Sequence, residues 1–361
     1  MIYNQIFYYQ FAKMKKIILS YLGLMLTAGA FAQKLTDSTT IQRIKVANQM
    51  QAPLTWITLG TQGGPAPNAQ RSQPANVLLA GGKPMIIDCG DGAMERFAAA
   101  GFAPTQATTV FISHLHVDHI GGLQGLIALH WFQGSANSVP LTIYGPPGTD
   151  KLVAGILQAL SPTEEIARAE QPDKWKMAAS VKVVILKTGA DLMVNSVRVR
   201  VMQNSHFDNP PGHPQDNGTQ SLSLRFDYQN YAIGYTGDTG PSDAVIALER
   251  KVNILMSEVT MRGEANRNTG RFNRRPATGA AQAAGQRQDT GQQPYENIHF
   301  VYQHLSPESA AKLAAAAEVQ QLVFTHLAIL AQTDVIAPTI IRQAQQFFKG
   351  KIVVAHDLDR F

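Results

Sequence analysis

Residues 114–119 read His-Leu-His-Val-Asp-His and place three imidazoles and one carboxylate within six positions. The preceding residues 109–113 are mostly apolar or β-branched, which predicts a short buried strand. Residues 122–131 carry apolar side chains at helical spacing, which predicts a helix. The four polar groups therefore lie between the end of a strand and the start of a helix, where rigid elements can direct side chains to one point.

Imidazole nitrogens and carboxylate oxygens are ligands of zinc and of similar metal ions. On an ideal strand His114 and His116 would point to the same side. The turn that follows would let Asp118 and His119 reach a second ion nearby. Clustered histidines at a helix cap or on a polar surface are the alternative interpretation, but the order of strand, cluster and glycines favours a metal site.

This spacing resembles the signature of the metallo-β-lactamase superfamily, and the resemblance covers most of the chain after the N-terminal segment. It implies an α+β fold, a four-layer αββα sandwich in which two sheets pack face to face with helices outside. The predicted strands and helices follow one another in two halves, which is compatible with that architecture.

Three later polar residues, His206, Asp238 and His326, each follow a predicted strand, where the superfamily supplies its remaining ligands. The resemblance implies seven ligands for two ions: His114, His116 and His206 for the first, Asp118, His119 and His326 for the second, and Asp238 for both. The expected ions are zinc, with iron or manganese as alternatives. The family's true β-lactamases lack the shared aspartate, which argues against antibiotic hydrolysis.

Further motifs resemble the ribonuclease Z branch and its secreted arylsulfatase-like relatives: Tyr-Gly-Pro-Pro-Gly at 144–148, Thr-His-Leu at 325–327 and His-Leu-Ser at 304–306. The histidine matching His304 assists the leaving group in that branch, so the resemblance implies catalytic roles for His304 and for Asp118, which can orient the attacking water. Ser257 replaces a histidine usual in the branch. No glycine- and lysine-rich arm appears between residues 148 and 197, which argues against transfer RNA as the substrate.

The N-terminus has the pattern of an export signal, since Lys13, Lys15 and Lys16 precede an apolar run over 17–27 and Ala-Phe-Ala at 30–32. This pattern predicts that residues 1–32 are an upstream extension and signal peptide, with cleavage after Ala32. The alternative is an uncleaved anchor. Residues 33–361 would then form the hydrolase domain, periplasmic or secreted, with no membrane association after cleavage.

Residues 262–294 are rich in Gly, Ala, Gln, Asn and Arg and nearly lack large apolar side chains, which predicts a disordered insertion. Its arginines could attract polyanions or a sulfated substrate, although a solvated loop is the favoured interpretation. The net charge of +5 comes largely from this stretch and the N-terminus, so it does not indicate a basic binding face. Cys89 is the only cysteine, which excludes an intramolecular disulfide.

The resulting expectation is a secreted dinuclear-zinc hydrolase that cleaves a sulfate ester or a phosphodiester of a small molecule, with an activated water between the ions. A lactone or thioester hydrolase of the same fold is one alternative. A non-catalytic metal-binding protein whose insertion binds a polyanion is another. The sequence leaves a homodimer open.

Overall fold

The computed structural model describes residues 53–209, 218–261, 299, 302–328 and 333–361. The predicted upstream extension and signal peptide (residues 1–32) and the predicted insertion (262–294) lie outside these residues, so both stay predictions. Among the residues described, no helix combines the length and the apolar character that a bilayer crossing requires.

The described residues contain thirteen strands, most of them rich in β-branched and aromatic side chains. They are β1 (Leu54–Gly60), β2 (Ala75–Ala80), β3 (Lys83–Cys89), β4 (Thr109–Phe111), β5 (Leu141–Gly145), β6 (Val181–Ile185), β7 (Asp191–Val194), β8 (Val197–Gln203), β9 (Leu222–Tyr228), β10 (Tyr231–Tyr235), β11 (Ile254–Thr260), β12 (Gln321–Ala328) and β13 (Lys351–Val354).

Eight α-helices are described: α1 (Ala93–Ala99), α2 (Val117–Ile120), α3 (Leu123–Gln133), α4 (Thr149–Ala159), α5 (Ser161–Glu170), α6 (Asp243–Leu248), α7 (Pro307–Ala316) and α8 (Thr333–Ala344). Two 3₁₀ helices cover Pro104–Gln106 and Met177–Ser180. Ser242 caps the start of α6, because its hydroxyl accepts a hydrogen bond from the backbone N–H of Val245.

The strands form two sheets with related patterns. The first has the order β1-β2-β3-β4-β5-β6 and the second β13-β12-β11-β10-β9-β8-β7. In the first sheet, β1, β2 and β3 are antiparallel neighbours, and β3 to β6 run parallel. In the second, β7 to β10 are antiparallel neighbours, and β10 to β13 run parallel. Each sheet therefore has its parallel strands ending at one common edge.

Three apolar clusters define four layers. The middle cluster joins the facing surfaces of the two sheets, with Trp56 and Phe111 from the first and Phe226 from the second. A second cluster packs α1, α3 and α4 on the outer face of the first sheet. A third packs α6, α7 and α8 on the outer face of the second. Alternate residues of one strand enter different clusters, as the period of a strand requires. The predicted αββα sandwich is confirmed.

Two strand boundaries near the predicted ligands differ from the prediction. β4 ends at Phe111, so His114 and His116 lie on an extended loop, and Asp118 and His119 lie in the single turn of α2. β12 continues past His326 to Ala328, because a register shift against β11 absorbs an extra residue there. His326 itself has a φ of 43°.

Candidate metal centre

The seven predicted ligands meet at one edge of the sandwich. Residues 114–119 leave the first sheet after β4. In the second sheet, His206 follows β8, Asp238 follows β10, and His326 lies in β12. A hydrogen bond from the backbone N–H of Leu222 to the Ser113 carbonyl (2.9 Å) joins the sheets beside them. The structure therefore brings together all seven, from both halves of the chain.

Three histidines form what we call the histidine group: His114, His116 and His206. The Nδ1 atom of His116 lies 3.0 Å from Nε2 of His114 and 3.1 Å from Nε2 of His206. Tetrahedral zinc with bonds of ~2.0–2.1 Å holds its nitrogen ligands about 3.3 Å apart. The spacing of these nitrogens is thus close to what one zinc ion requires.

Three further residues form the acidic group: Asp118, His119 and His326. The Asp118 Oδ2 atom lies 3.7 Å from Nε2 of His119 and 3.5 Å from Nε2 of His326. All three side chains are buried. Each group takes residues from both sheets, since His206 and His326 belong to the second and their partners to the first.

Asp238 lies between the two groups. Its Oδ1 is 3.3 Å from Nε2 of His119, and its Oδ2 is 3.1 Å from Nε2 of His326 and 3.9 Å from Nε2 of His114. One carboxylate therefore faces both groups, as the resemblance implied.

Several of these buried atoms have no hydrogen-bond partner in the part of the chain that is described. They include Nε2 of His119, Nε2 of His326 and Oδ1 of Asp238. These atoms lie at ion-pair distances, but without hydrogen-bond geometry. Leaving buried polar atoms unsatisfied costs about 1–3 kcal/mol each. A metal cation would satisfy all three, so the residues fit the ions that the superfamily implies.

The imidazoles of the histidine group are poised as neutral ligands. Burial is the main cause that lowers the pKa of His114 and His206 well below the usual range, and it also lowers that of His116. The Nδ1–H of His206 donates to the Gln303 carbonyl (2.9 Å), which leaves its Nε2 lone pair directed at His116. A neutral imidazole with a free lone pair is the form that binds a metal.

The acidic group has the opposite electrostatics. Burial opposes charge on His326, but Asp238 and Asp118 outweigh it and raise the His326 pKa to about 10. The same carboxylates together with Asp88 raise the pKa of His119 well above its usual range despite burial. Burial would raise the pKa of Asp118, but His119 and His326 lower it to about 2. Without metal, the protons on His119 and His326 therefore supply the positive charge that a metal cation would otherwise provide.

Asp88 is a residue that the sequence analysis missed. Its Oδ2 accepts hydrogen bonds from Nδ1 of His119 (2.8 Å) and from the Tyr235 hydroxyl (2.7 Å), while its Oδ1 accepts one from the Ser113 N–H (2.7 Å). A carboxylate on the remote nitrogen fixes the tautomer and orientation of a metal-binding histidine. Asp88 is the next-to-last residue of β3, and its φ of 56° lies in the left-handed region that non-glycine residues rarely adopt.

His304 lies beside the groups and is held by Glu258. The Nδ1 atom of His304 is 2.7 Å from Oε2 of Glu258, and both side chains are buried. The Glu258 Oε1 atom accepts a hydrogen bond from the N–H of Thr239 (2.6 Å), which fixes the carboxylate. Burial opposes charge on His304, but Glu258 outweighs it and raises the His304 pKa. His299, which the sequence analysis did not single out, lies 3.2 Å from Nε2 of His304.

A pocket of about 320 Å³ opens onto these residues. Its polar side is formed by His116, Asp118, Asp238, His299, His304 and His326. Its other side is largely apolar or backbone and includes Gly63, Gly64, Pro65, Ala66 and Val117. The polar and apolar sides face one cavity, so a ligand with a charged centre and an apolar substituent would meet both.

Comparisons with known protein families and sequences identify relatives of this chain. A family model described as anti-Pycsar protein Apyc1 matches residues 55–269, more than half of the chain. Ribonuclease Z from Mycobacterium sp. (strain KMS) is 31% identical over 200 residues, which cover 55% of this chain and 67% of that protein. Ribonuclease Z from Mycobacterium avium (strain 104) is 28% identical over 312 residues, 84% of this chain and 96% of that protein.

Among solved structures, the metallo-β-lactamase fold protein YhfI from Bacillus subtilis superposes with a TM-score of 0.60 at 16% identity, covering 86% of this chain and 99% of that one. Fold and site together define a metal-dependent hydrolase of the metallo-β-lactamase fold. Within that superfamily, the chain belongs to the ribonuclease Z branch and to the family of the anti-Pycsar protein Apyc1.

Proposed function

We propose that this chain is a dinuclear-zinc phosphodiesterase that hydrolyses a small phosphodiester. The observation that carries the proposal is the position of Asp238, whose two carboxylate oxygens face the histidine group and the acidic group at once. A residue shared in this way supports two ions side by side. The histidine group would hold one ion, the acidic group would hold the other, and Asp238 would be a ligand of both.

Phosphorus is favoured over sulfur or carbonyl carbon by the relatives. Ribonuclease Z is a nuclease by name, and a nuclease cleaves phosphodiesters. The pocket supports a small substrate, because its volume of about 320 Å³ lies at the lower end of the range for ligand sites. We therefore propose a phosphodiester with a compact apolar or aromatic substituent, and not transfer RNA.

Two zinc ions, when bound, supply Lewis acidity that activates water and stabilises negative charge on phosphoryl oxygens. The chain's own residues then divide the remaining work. Asp118 accepts a hydrogen bond from the attacking water and orients it. His304 donates its Nε2 proton to the departing oxygen, a role typically worth about 10²–10⁴-fold in rate. Glu258 holds Nδ1 of His304 and so directs Nε2 toward the pocket.

The test is a side-by-side substrate panel on the purified chain with measured metal content. We expect metal-dependent hydrolysis of bis(4-nitrophenyl) phosphate, with 4-nitrophenyl sulfate and a lactone far behind. The matched variant His116→Ala removes a ligand at the accessible mouth of the site and should lose this activity. Preferred turnover of the sulfate or lactone, or full activity in His116→Ala, would overturn the proposal.

The location of the protein is part of the same proposal. The signal pattern over residues 1–32 supports export to the periplasm or the medium, which would bring the site to extracellular small molecules. N-terminal sequencing of the exported protein should give Gln33 as the first residue.

A further inference from the structure

The C-terminal tail, residues 355–361, lies along the first strand. The backbone N–H of Trp56 donates to the Phe361 carbonyl (2.9 Å), and that of Thr58 donates to the Asp359 carbonyl (3.1 Å). These bonds place the tail next to residues 61–72, which we call the pocket loop because its residues 62–66 line the pocket. The C-terminal tail is thus close to the residues that form the apolar side of the pocket.

One carboxylate in the tail holds both ends of the pocket loop. The Asp357 Oδ1 atom accepts hydrogen bonds from the backbone N–H (3.0 Å) and the hydroxyl (2.7 Å) of Thr61. Its Oδ2 accepts one from the backbone N–H of Ser72 (2.8 Å) and lies 3.3 Å from Nε of Arg96. Because the two ends of the loop share this single side chain, their separation is set by Asp357.

Arg71 adds a second connection between the loop and the tail. Its Nη1 donates to the Thr61 hydroxyl oxygen and to the Ala355 carbonyl (2.8 Å), and only 7% of the residue is exposed. The crest of the loop, residues 65–70, is by contrast exposed. Arg71 is therefore held at one end of the pocket loop, below its exposed crest. Its accessibility reports whether the two ends of the loop stay together.

The loop contacts the acidic group directly. The N–H of Leu327 donates to the Thr61 carbonyl (2.7 Å), and the N–H of Gly63 donates to the Leu327 carbonyl (3.1 Å). A Cβ atom at Gly63 would lie 2.7 Å from Nδ1 of His326 and 2.6 Å from the Ala328 nitrogen, so only glycine permits this approach. The loop backbone therefore packs against the ring of His326, in a strand segment with positive φ.

We infer that Asp357 is a positioning residue, which fixes the pocket loop and thereby the apolar wall of the pocket and the backbone around His326. It touches neither the substrate pocket nor the seven ligands itself. Its effect on catalysis rests on the proposed function, since that function decides which substrate meets the wall. Its effect on the position of the pocket loop does not depend on the proposed function.

The kinetic test compares Asp357→Ala with Asp359→Ala in the full chain. Asp359 is a matched control, because its carboxylate belongs to the same tail and accepts a hydrogen bond from the His356 N–H (2.8 Å), away from the loop. For bis(4-nitrophenyl) phosphate we expect Asp357→Ala to raise KM about 10-fold while kcat falls less, and Asp359→Ala to leave both near the wild type. An unchanged KM in Asp357→Ala would overturn the inference.

The structural test needs no activity. Trypsin cleaves after arginine, and we expect cleavage after Arg71 to be about 10-fold faster in Asp357→Ala than in the wild type or Asp359→Ala, because opening of the loop foot exposes that bond. Continued protection of Arg71 would overturn the inference. If the wild type hydrolyses no phosphodiester, the proposed function fails, and this experiment still decides the role of Asp357.

Asp357→Asn guards against a variant that does not fold. It keeps the size of the side chain but replaces one acceptor oxygen with a donor. Only one end of the pocket loop can then keep its hydrogen bond to residue 357. We expect it to fall between the wild type and Asp357→Ala in both KM and cleavage after Arg71. Identity with the wild type in both measurements would contradict the inference.

Discussion

The histidine group and the acidic group lie side by side and each contain three ligands, yet they prepare for a cation in different ways. In the histidine group burial depresses the pKa of every imidazole, so lone pairs are available without competition from protons. In the acidic group carboxylates raise the pKa of His119 and His326. An ion entering there must displace protons, while one entering the histidine group need not.

The surroundings of the two groups differ in the same sense. His114 lies beside the Ser113 hydroxyl (3.1 Å) and His206 beside the Gln303 carbonyl, both neutral partners. His119 instead lies on the carboxylate of Asp88. A dinuclear site can thus combine one half tuned by desolvation with another tuned by negative charge, and Asp238 is the element common to both.

The largest expected effect is that of Asp238→Ala, which removes this common element. We expect turnover to fall by more than about 10²-fold, since changes to outer partners of metal ligands alone cost 10–100-fold. Mass spectrometry of bound metal should show a deficit in both ions. The controls His206→Ala and His326→Ala each touch one group, and each should lose one ion. Retention of two ions by Asp238→Ala would contradict the role of Asp238 as a ligand shared by the two groups.

A smaller effect is expected from Asp88→Asn, which alters only the acidic group. The variant loses the charge that holds His119, so zinc affinity at that group should fall by about 10–100-fold, while the ion of the histidine group stays. Competition with a graded series of chelators measures the two affinities separately. Asp91→Asn, an exposed carboxylate three residues further on, serves as the control. An equal loss of affinity for both ions would show that the affinities of the two groups are not set independently.

The smallest effect concerns Glu249, a buried carboxyl whose charged neighbours among the described residues are Arg225, Asp227 and Arg200. Burial raises its pKa well above the usual value of 4.5, and neither oxygen has a hydrogen-bond partner among the described residues. The stability it contributes is therefore complete below pH 4.5 and is lost as the pH rises through the raised folded-state pKa.

We expect Glu249→Gln to raise the free energy of unfolding by about 1–3 kcal/mol at pH 8 and to have little effect at pH 4. Thermal unfolding at both pH values measures this difference. Glu318→Gln, an exposed glutamate paired with Arg250, should show no such dependence. A larger gain at pH 4 than at pH 8 would reverse the sign and contradict the assignment. Together with the metal-site variants, this result separates carboxylates stabilised by imidazoles from one that is only buried.

The strands and the candidate ligands could be predicted because their signals are local, while the αββα arrangement and the grouping of the ligands came from the resemblance to the superfamily. Apolar periodicity located the strands, and polar residues immediately after those strands located His206, Asp238 and His326. The short strand β7 was missed, since its four residues carry little apolar alternation. Asp88 and Asp357 were missed as well, because their roles depend on partners 25 to 296 residues distant in the chain, which no local pattern reveals. The bulge that places His326 inside β12 likewise depends on its neighbour β11.

Both groups draw ligands from the two sheets, and this has a consequence for the sandwich as a whole. An ion bound by either group would connect the two sheets, so its binding energy would also hold them together at that edge. Stripping the metal should loosen the seam before it unfolds either sheet. Substitutions in one half are then constrained by the other, since neither half can keep a working centre alone.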